Sequence, residues 1–270
     1  MDDEGFVSDI VDEILASRNF REISPSLIRQ VVLSERQPNE SRKETVKRVK
    51  SKLHQVANAF RGGNLNNQSL YDKIASINAF STIDELKPLC RELMQSHAST
   101  KERIPILDNF YFQIFEQLPP VHSVLDLASG LNPLAIPWMN LETGFTYHAI
   151  DLYQDMADLL NAFFAKINVS GQAMVGNLLD QTPEPQADLT LLLKTIPVLE
   201  QVDKSAGKQI LSRITSPHAV VSFPIFSLSG KQKGMKTNYG NHFMEICDPK
   251  QWQISQLTFS NELVFILERK

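Results

Sequence analysis

The sequence predicts an α/β chain: an all-helical N-terminal domain, then a parallel sheet that ends in an antiparallel hairpin. Three observations carry this. No strand candidate of any strength appears before residue 120. Beyond it, apolar strand-like runs alternate with helical stretches, the pattern of βαβ units. The last two runs, Gln253–Phe259 and Glu262–Leu267, are separated only by Ser260-Asn261, too short a link for a parallel crossover. We place the boundary near residue 105, with domains over 1–105 and 106–270. A chain of 270 residues holds two domains comfortably.

The helical part opens with Phe6, Ile10, Val11, Ile14 and Leu15 at helical spacing. Ser24-Pro25 reads as an N-cap and a first helical proline before Leu27, Ile28, Val31 and Val32. A third helix spans about Glu40 to Phe60, with a core stripe of Val46, Val49, Leu53, Val56 and Phe60. Lys43, Lys47, Lys50 and His54 form a second stripe, roughly 100° around the axis. Arg42, Arg48, Lys52 and Arg61 add charge, and Glu40 and Glu44 are the only acids from Gln37 to Arg61. A solvated face is the commoner meaning of a lysine run. So few acids for i,i+4 pairing favour a phosphate-backbone footprint instead, which Arg18 and Arg21 extend. Arg61–Asn67 is a loop, and Thr82-Ile-Asp-Glu85 has capping-box form.

Ser99 and Glu102 share that spacing, so a helix is expected to start there, with Ile104, Leu107, Phe110, Tyr111, Ile114 and Phe115 on its apolar face. Arg103, in its first turn, can serve a carboxylate ligand. From spacing alone, plain capping with a surface arginine is the preferred reading.

Strand candidates follow at Ser123–Leu127, Tyr147–Asp151, Gln172–Val175, Asp188–Lys194 and Ala219–Pro224, with helices over Gln154–Lys166 and Asp203–Ile214 between them. The first strand runs into Asp126-Leu-Ala-Ser-Gly-Leu-Asn-Pro133, with a helix expected from Pro133. Strand, tight turn and helix place backbone N–H groups against a nucleotide-like ligand. The turn has one glycine and is not GxGxxG, so an ordinary strand-to-helix turn stays open. Asp151, ending the second strand about 20 residues on, stands where such folds hold a ribose, which favours the nucleotide reading. A parallel sheet with a terminal hairpin is the form of a Rossmann-like methyltransferase sheet, whereas NAD-binding sheets usually end in parallel strands; this favours S-adenosylmethionine.

Three more stretches end strands. Gly176-Asn177-Leu178 offers Asn177 to an adenine edge, or simply makes a turn. Lys194 terminates a fully apolar strand; it is read as functional, with a snorkelling stem as the alternative. Ser222–Lys236 is a long loop whose Lys231, Lys233 and Lys236 form a basic segment suited to RNA, or only to solubility.

The remaining composition bounds the function classes. No run is long enough to cross a bilayer, and the acidic start does not resemble a signal peptide. Cys90 and Cys247 fit a reduced cytosolic protein, and neither has a local metal-ligand pattern. A net charge of −4 gives no global attraction to nucleic acid, so binding needs a local basic patch.

Several stretches resemble one family. They are Lys52-Leu-His-Gln55, His97-Ala-Ser-Thr-Lys-Glu-Arg103, Asp126–Ala135, Leu192-Leu-Lys-Thr-Ile-Pro-Val-Leu199, Val221-Ser-Phe-Pro224, Ser227–Met235 with Asn238-Tyr239, and Asn261-Glu262-Leu263. In that order they resemble the aminoglycoside-resistance 16S ribosomal RNA methyltransferases, which modify N7 of a decoding-site guanine. Residues 1 to 45 match only loosely.

The resemblance implies a cofactor pocket of Phe60, His97, Ala98, Ser99, Arg103, Ala128, Gly130, Asp151, Asn177, Leu178, Leu193 and Gln201. In it Arg103 holds the methionine carboxylate and Asp151 the ribose. At Asn177 the family's usual acid is replaced by its amide, and spacing to Gln201 varies in the family. RNA contacts are expected from Arg18, Arg21, Lys43, Lys47, Lys50, Lys52, Lys231, Lys233 and Lys236. Guanine N7 is a lone-pair acceptor and needs no deprotonation, so no general base is assigned. Lys194 is given the role of orienting the guanine through O6 or neutralising a nearby phosphate. The expectation is a cytoplasmic, monomeric, metal-free enzyme that uses S-adenosyl-L-methionine to methylate guanine N7 in helix 44 of 16S rRNA, within the 30S subunit, conferring aminoglycoside resistance. A non-enzymatic RNA-binding protein and a nucleotide-dependent oxidoreductase are the alternatives.

Overall fold

The computed structural model describes residues 3–38, 40–56, 68–78, 82–180, 185–225 and 235–270. Seven strands form one sheet: β1 (Val121–Leu127), β2 (Leu141–Asp151), β3 (Ser170–Val175), β4 (Leu189–Leu193), β5 (His218–Pro224), β6 (Trp252–Thr258) and β7 (Glu262–Arg269). Their order is β3-β2-β1-β4-β5-β7-β6. β1 to β5 pair in parallel, and β7 runs antiparallel between β5 and β6. The expected parallel sheet and terminal hairpin are both present. Strand order reverses between β1 and β4, which puts a crevice outside their carboxyl ends.

Side-chain alternation sorts each strand's residues between two cores. Val124, Leu191 and Val220 face one; Leu125, Leu192 and Val221 face the other. The first core also contains Ile10, Ile28, Val31, Val49 and Leu53, so the N-terminal helices pack onto one face of the sheet without a break. Those helices are α1 (Asp3–Leu15), α2 (Pro25–Glu35), α3 (Arg42–Val56), α4 (Gln68–Ala75), α5 (Lys87–Met94), α6 (Ala98–Arg103) and α7 (Leu107–Phe115). The second core lies under α9 (Ile196–Leu199), α10 (Ala206–Arg213) and α11 (Met235–Ile246), while α8 (Gln154–Lys166) packs on the first.

Local chemistry explains where elements start. Thr82 and Glu85 form the expected reciprocal capping box: Glu85 Oε2 accepts from the Thr82 N–H at 2.8 Å, and Thr82 Oγ1 accepts from the Glu85 N–H at 3.4 Å. The same device, unforeseen, starts α3 at Arg42 rather than Glu40, because Glu44 Oε2 accepts from the Ser41 N–H at 3.2 Å. α10 begins later than Asp203 because that carboxylate turns the chain, accepting from the Ser205 N–H at 2.8 Å. The helix expected from Pro133 is instead a buried 3-10 run, Asn132–Trp138. Pro137 within it has no N–H to give an α-helix. Phe60, Arg61, Lys231 and Lys233 lie outside the described residues. No described helix is long and apolar enough to cross a membrane.

β3 is a sheet edge whose exposed backbone is met by one side chain. Asn161 of α8 donates to the Ala173 carbonyl at 2.9 Å and accepts from the Ala173 N–H at 2.8 Å. Asn161→Leu leaves both backbone groups unsatisfied. Urea denaturation is expected to show a loss of about 1–3 kcal/mol; an unchanged midpoint would refute this account of the edge.

Candidate active site

The turn after β1 is held open by backbone conformations that side chains resist. Ala128 and Gly130 have φ of 52° and 53°. A Cβ on Gly130 would meet His97 Cε1 at 2.7 Å, so only glycine fits there. Asp151, at the end of β2, fastens this turn. Its Oδ2 accepts from the Gly130 N–H at 2.8 Å and its Oδ1 from the Leu152 N–H at 2.7 Å. Burial pushes the Asp151 carboxyl above its ordinary pKa, against these backbone donors.

Below the turn lies a cleft walled by Leu27, His97, Ser99, Ala128, Gly130, Asp151, Leu152, Tyr153, Leu193, Lys194, Thr195, Val198 and Leu199. Seven of the residues expected from sequence therefore meet: His97, Ser99, Ala128, Gly130, Asp151, Leu193 and Lys194. Among the described wall residues Ala98, Arg103, Asn177, Leu178 and Gln201 are absent. Gln201 is exposed beyond the end of α9, and Val198 and Leu199 supply that wall instead. Leu27, Leu152, Tyr153, Thr195, Val198 and Leu199 were missed. Leu152, Tyr153 and Thr195 directly follow a strand named in the sequence, and Val198 and Leu199 lie in the short helix just beyond one, which is a usable signal. Leu27 comes from α2 and carries none.

The capping box expected at Ser99 and Glu102 does not form. α6 starts two residues earlier, with His97 in extended conformation at its N-cap and no side-chain cap bond. Glu102 is drawn off to Lys194 Nζ at 2.9 Å. His97 is buried against Gly130, and its Nδ1 has no hydrogen-bond partner among the described residues. Burial, with the Arg103 and Lys194 cations nearby, drops its pKa to about 4, so the ring is neutral near pH 7.

Arg103 is not a surface residue. It is 1% exposed and forks onto Glu262, with Nε 3.1 Å from Oε2 and Nη2 2.8 Å from Oε1. Nη1 donates to Asn132 Oδ1 at 2.9 Å. Three of the five guanidinium hydrogens are thus committed inside the protein, leaving two for a carboxylate. Lys194 does not snorkel either. Its ammonium turns inward, 2.9 Å from Glu102 and 3.5 Å from Glu262, on a backbone with φ of 59°. An O6-orienting role therefore competes with two carboxylates already in place.

Ser222 Oγ donates to Glu262 at 2.6 Å. Burial tends to raise the Glu262 carboxyl, but Arg103 and Lys194 hold it below its ordinary pKa. On the far side, Asn132 Nδ2 and the Tyr147 hydroxyl donate to Asp126 at 2.9 and 2.7 Å. Burial nevertheless pushes Asp126 up to about 6. Glu262 was quoted in a sequence motif without a role and Glu102 was given only a capping role; nothing local marks them as partners of Arg103 and Lys194.

The family model described as Ribosomal RNA methyltransferase (FmrO) matches residues 16–266. The chain belongs to this family. A curated relative from Micromonospora rosea, named 16S rRNA (guanine(1405)-N(7))-methyltransferase, is 32% identical over 97% of both chains. A relative of the same name from Serratia marcescens is 30% identical over 97% of this chain and 98% of its own. Among solved structures, the 16S rRNA methyltransferase RmtF in complex with S-adenosyl-L-homocysteine superposes with a TM-score of 0.81, at 27% identity and full coverage of both chains. The 16S rRNA methylase RmtB gives a TM-score of 0.79, at 26% identity and 98% coverage of each. Membership decides against the oxidoreductase and the non-enzymatic alternatives.

Within this rRNA methyltransferase, Asn177 is occupied by protein partners. Its Nδ2 donates to Gln30 at 3.0 Å and to Asp180 at 3.3 Å, while its Oδ1 accepts from the Leu179 N–H at 3.1 Å. That is a turn with a tether, not a side chain presented to the cleft. Leu178 is buried in the second core, and its carbonyl accepts from Arg213.

The basic residues of the helical region divide. Arg42 pairs with Asp9 and Glu13 of α1, Arg48 with Glu40, and Lys52 with Glu35 at 3.9 Å. The acids missing from α3's own sequence are thus supplied largely by other helices. Lys43, Lys47 and Lys50 have no ion pair among the described residues and line a shared groove with Ser41, Glu44 and Val46. Arg18 is exposed, Arg21 pairs with Glu22, and Lys236 is exposed on α11.

The neutral state of His97 has a pH signature. Between pH 6.5 and about 4 the unfolded chain protonates this ring while the folded chain does not, so its contribution is complete above 6.5 and is lost on acidification. Asp126, raised to about 6, acts oppositely over much of that range. Comparison of wild type with His97→Gln isolates the His97 part: the stability difference should shift by roughly 3 kcal/mol between pH 6.5 and 4. Parallel pH dependences of the two denaturation free energies would rule out the neutral buried ring.

Proposed function

We propose that this chain transfers the methyl group of S-adenosyl-L-methionine to guanine N7 in the decoding site, helix 44, of 16S rRNA. It acts on the 30S subunit as a cytoplasmic monomer and confers aminoglycoside resistance. Residues 1–105 dock the subunit and residues 106–270 carry out transfer. The observation that carries this reading is the cleft at the sheet's switch point, where the Gly130 turn, Asp151 and neutral His97 meet.

The residues present fit the cofactor. Gly130 lets the neutral His97 ring pack directly against the turn, and Asp151 offers carboxylate acceptors on the cleft wall. His97 has a polar atom without a protein partner among the described residues. When bound, the cofactor supplies a methyl already activated on sulfonium. The protein's work is then positioning and exclusion of water, which Leu27, Leu152, Leu193, Val198 and Leu199 do from the cleft walls. Guanine N7 needs no proton removed, so no general base is required. Lys194 suits the O6 acceptor of guanine, which leaves the adjacent N7 lone pair free to take the methyl. Glu102, with its side chain 45% exposed, is the partner that can yield to such a contact, whereas Glu262 is fully buried.

Two measurements test this. Asp151→Ala is expected to weaken S-adenosylmethionine binding by roughly 2–4 kcal/mol in calorimetry; unchanged affinity in a folded variant would remove Asp151 from the site. On 30S subunits incubated with enzyme and cofactor, reduction and aniline should cleave 16S rRNA at the target guanine, since N7 methylation charges the ring. A reverse-transcription stop at an uncleaved adenine would assign adenine N1 instead.

Docking is tested separately. Reversing Lys43, Lys47 and Lys50 together should weaken 30S binding in a salt-dependent way and leave cofactor affinity alone. Unchanged 30S affinity at physiological salt would mean that this face is only solvated.

A further inference from the structure

The helical region forms part of the cofactor cleft. The segment from Glu22 to Gln30 touches both loops that follow β2 and β3. Ile23 bridges to Tyr153 in antiparallel fashion. The Ser24 N–H donates to the Leu152 carbonyl at 2.9 Å, and the Gln154 N–H to the Glu22 carbonyl at 2.9 Å. Leu27 stands in the cleft wall beside Leu152 and Tyr153. One turn further along α2, Gln30 Nε2 donates to Asp180 Oδ1 at 3.0 Å, and Gln30 Oε1 accepts from Asn177 Nδ2 at 3.0 Å. The same carboxylate oxygen also takes the second Asn177 hydrogen, at 3.3 Å.

These three side chains form a closed set in which donors and acceptors match only one way. Gln30 uses its amide nitrogen on the acid and its amide oxygen on Asn177. The segment they hold is flanked by the basic residues: Arg18 and Arg21 precede it, and α2 leads into α3, which carries Lys43, Lys47 and Lys50. Gln30 is the side chain through which α2 hydrogen-bonds the loop after β3.

We propose that Gln30 is a positioning residue that couples subunit docking to cofactor affinity, by tying α2 to the Asn177–Asp180 turn. The inference rests on the reading that this chain binds both S-adenosylmethionine and the 30S subunit. Coupling is reciprocal, so a cofactor-loaded chain docks more tightly by the same factor as a docked chain holds cofactor.

The test is equilibrium dialysis of labelled S-adenosyl-L-homocysteine against the full chain, free and in complex with 30S subunits. Wild type should bind it at least about fivefold more tightly in the complex. Gln30→Leu removes the tether, and Gln30→Glu keeps its size while setting a carboxylate against Asp180. In both, the ratio should fall to near one in a chain that still folds and still binds the free ligand. Adding Asp180→Asn to Gln30→Glu restores a donor opposite an acceptor and should recover the ratio, a rescue that loss of packing alone does not give. A wild-type ratio of one, a full ratio in both single variants, or no rescue would overturn the proposal. Failure of wild type to bind either ligand would instead overturn the functional reading on which it rests.

Discussion

The buried pair of Arg103 and Glu262 is the constraint on which the rest depends. An ion taken out of water costs several kcal/mol, and only close geometry with every hydrogen bond satisfied offsets it. Here the guanidinium ends α6, the carboxylate starts β7, and the bonds spread from them to Asn132 in the turn region, Ser222 on β5 and Lys194 after β4. Five parts of the chain must therefore be in place together before the charges are compensated. Breaking such a set by removing one partner typically costs about 3–5 kcal/mol, because the remaining charge is stranded. The value of the pair lies less in net stability than in admitting one arrangement of helix, hairpin and strand ends.

That arrangement sets the cleft. Lys194 adopts a left-handed backbone at a cost of about 1–2 kcal/mol. Its N–H is received by the Ser222 carbonyl at 3.0 Å, and its ammonium by Glu102 and Glu262. The chain leaves β4 sharply there, which brings Thr195, Val198 and Leu199 round as a wall. On the other side of the switch point, Gly130 and Asp151 do the same for β1 and β2. The electrostatics follow the geometry: two paired cations lie close to His97, and they add to burial in keeping it neutral.

Much of this was legible in the sequence, and the reason differs from element to element. The inner strands were visible because a sheet covered on both faces needs strongly apolar runs there, as Leu189–Leu193 shows with all five residues buried, whereas the edge strands β3 and β6 are largely exposed. The hairpin was visible because two residues cannot make a crossover. Gly130 and Asp151 were visible because their spacing is local to one βαβ unit. Arg103 was misjudged from spacing because its partner lies 159 residues away, and spacing carries no information about that. The family resemblance placed it inside a site, though not on Glu262. The Ser99–Glu102 pattern failed for the same reason: a distant lysine offered Glu102 a stronger partner than a helix N–H.

The proposed docking face shows how far a charge count can mislead in either direction. A chain of net charge −4 gives a polyanion no reason to approach, and a helix with six lysines and arginines over Arg42–Val56 gives it every reason. Neither count describes the surface. Arg42, Arg48 and Lys52 are spent on acids, most of them from neighbouring helices, and serve to pack α3 against α1 and α2. What is left uncompensated is the other stripe, Lys43, Lys47 and Lys50, which the 3.6-residue period had already set apart from the apolar face. Uncompensated charge, not total charge, releases counterions when phosphates are met. The helix can therefore anchor itself with one set of cations and present another, and the two sets are distinguished only by what the fold brings within reach of each.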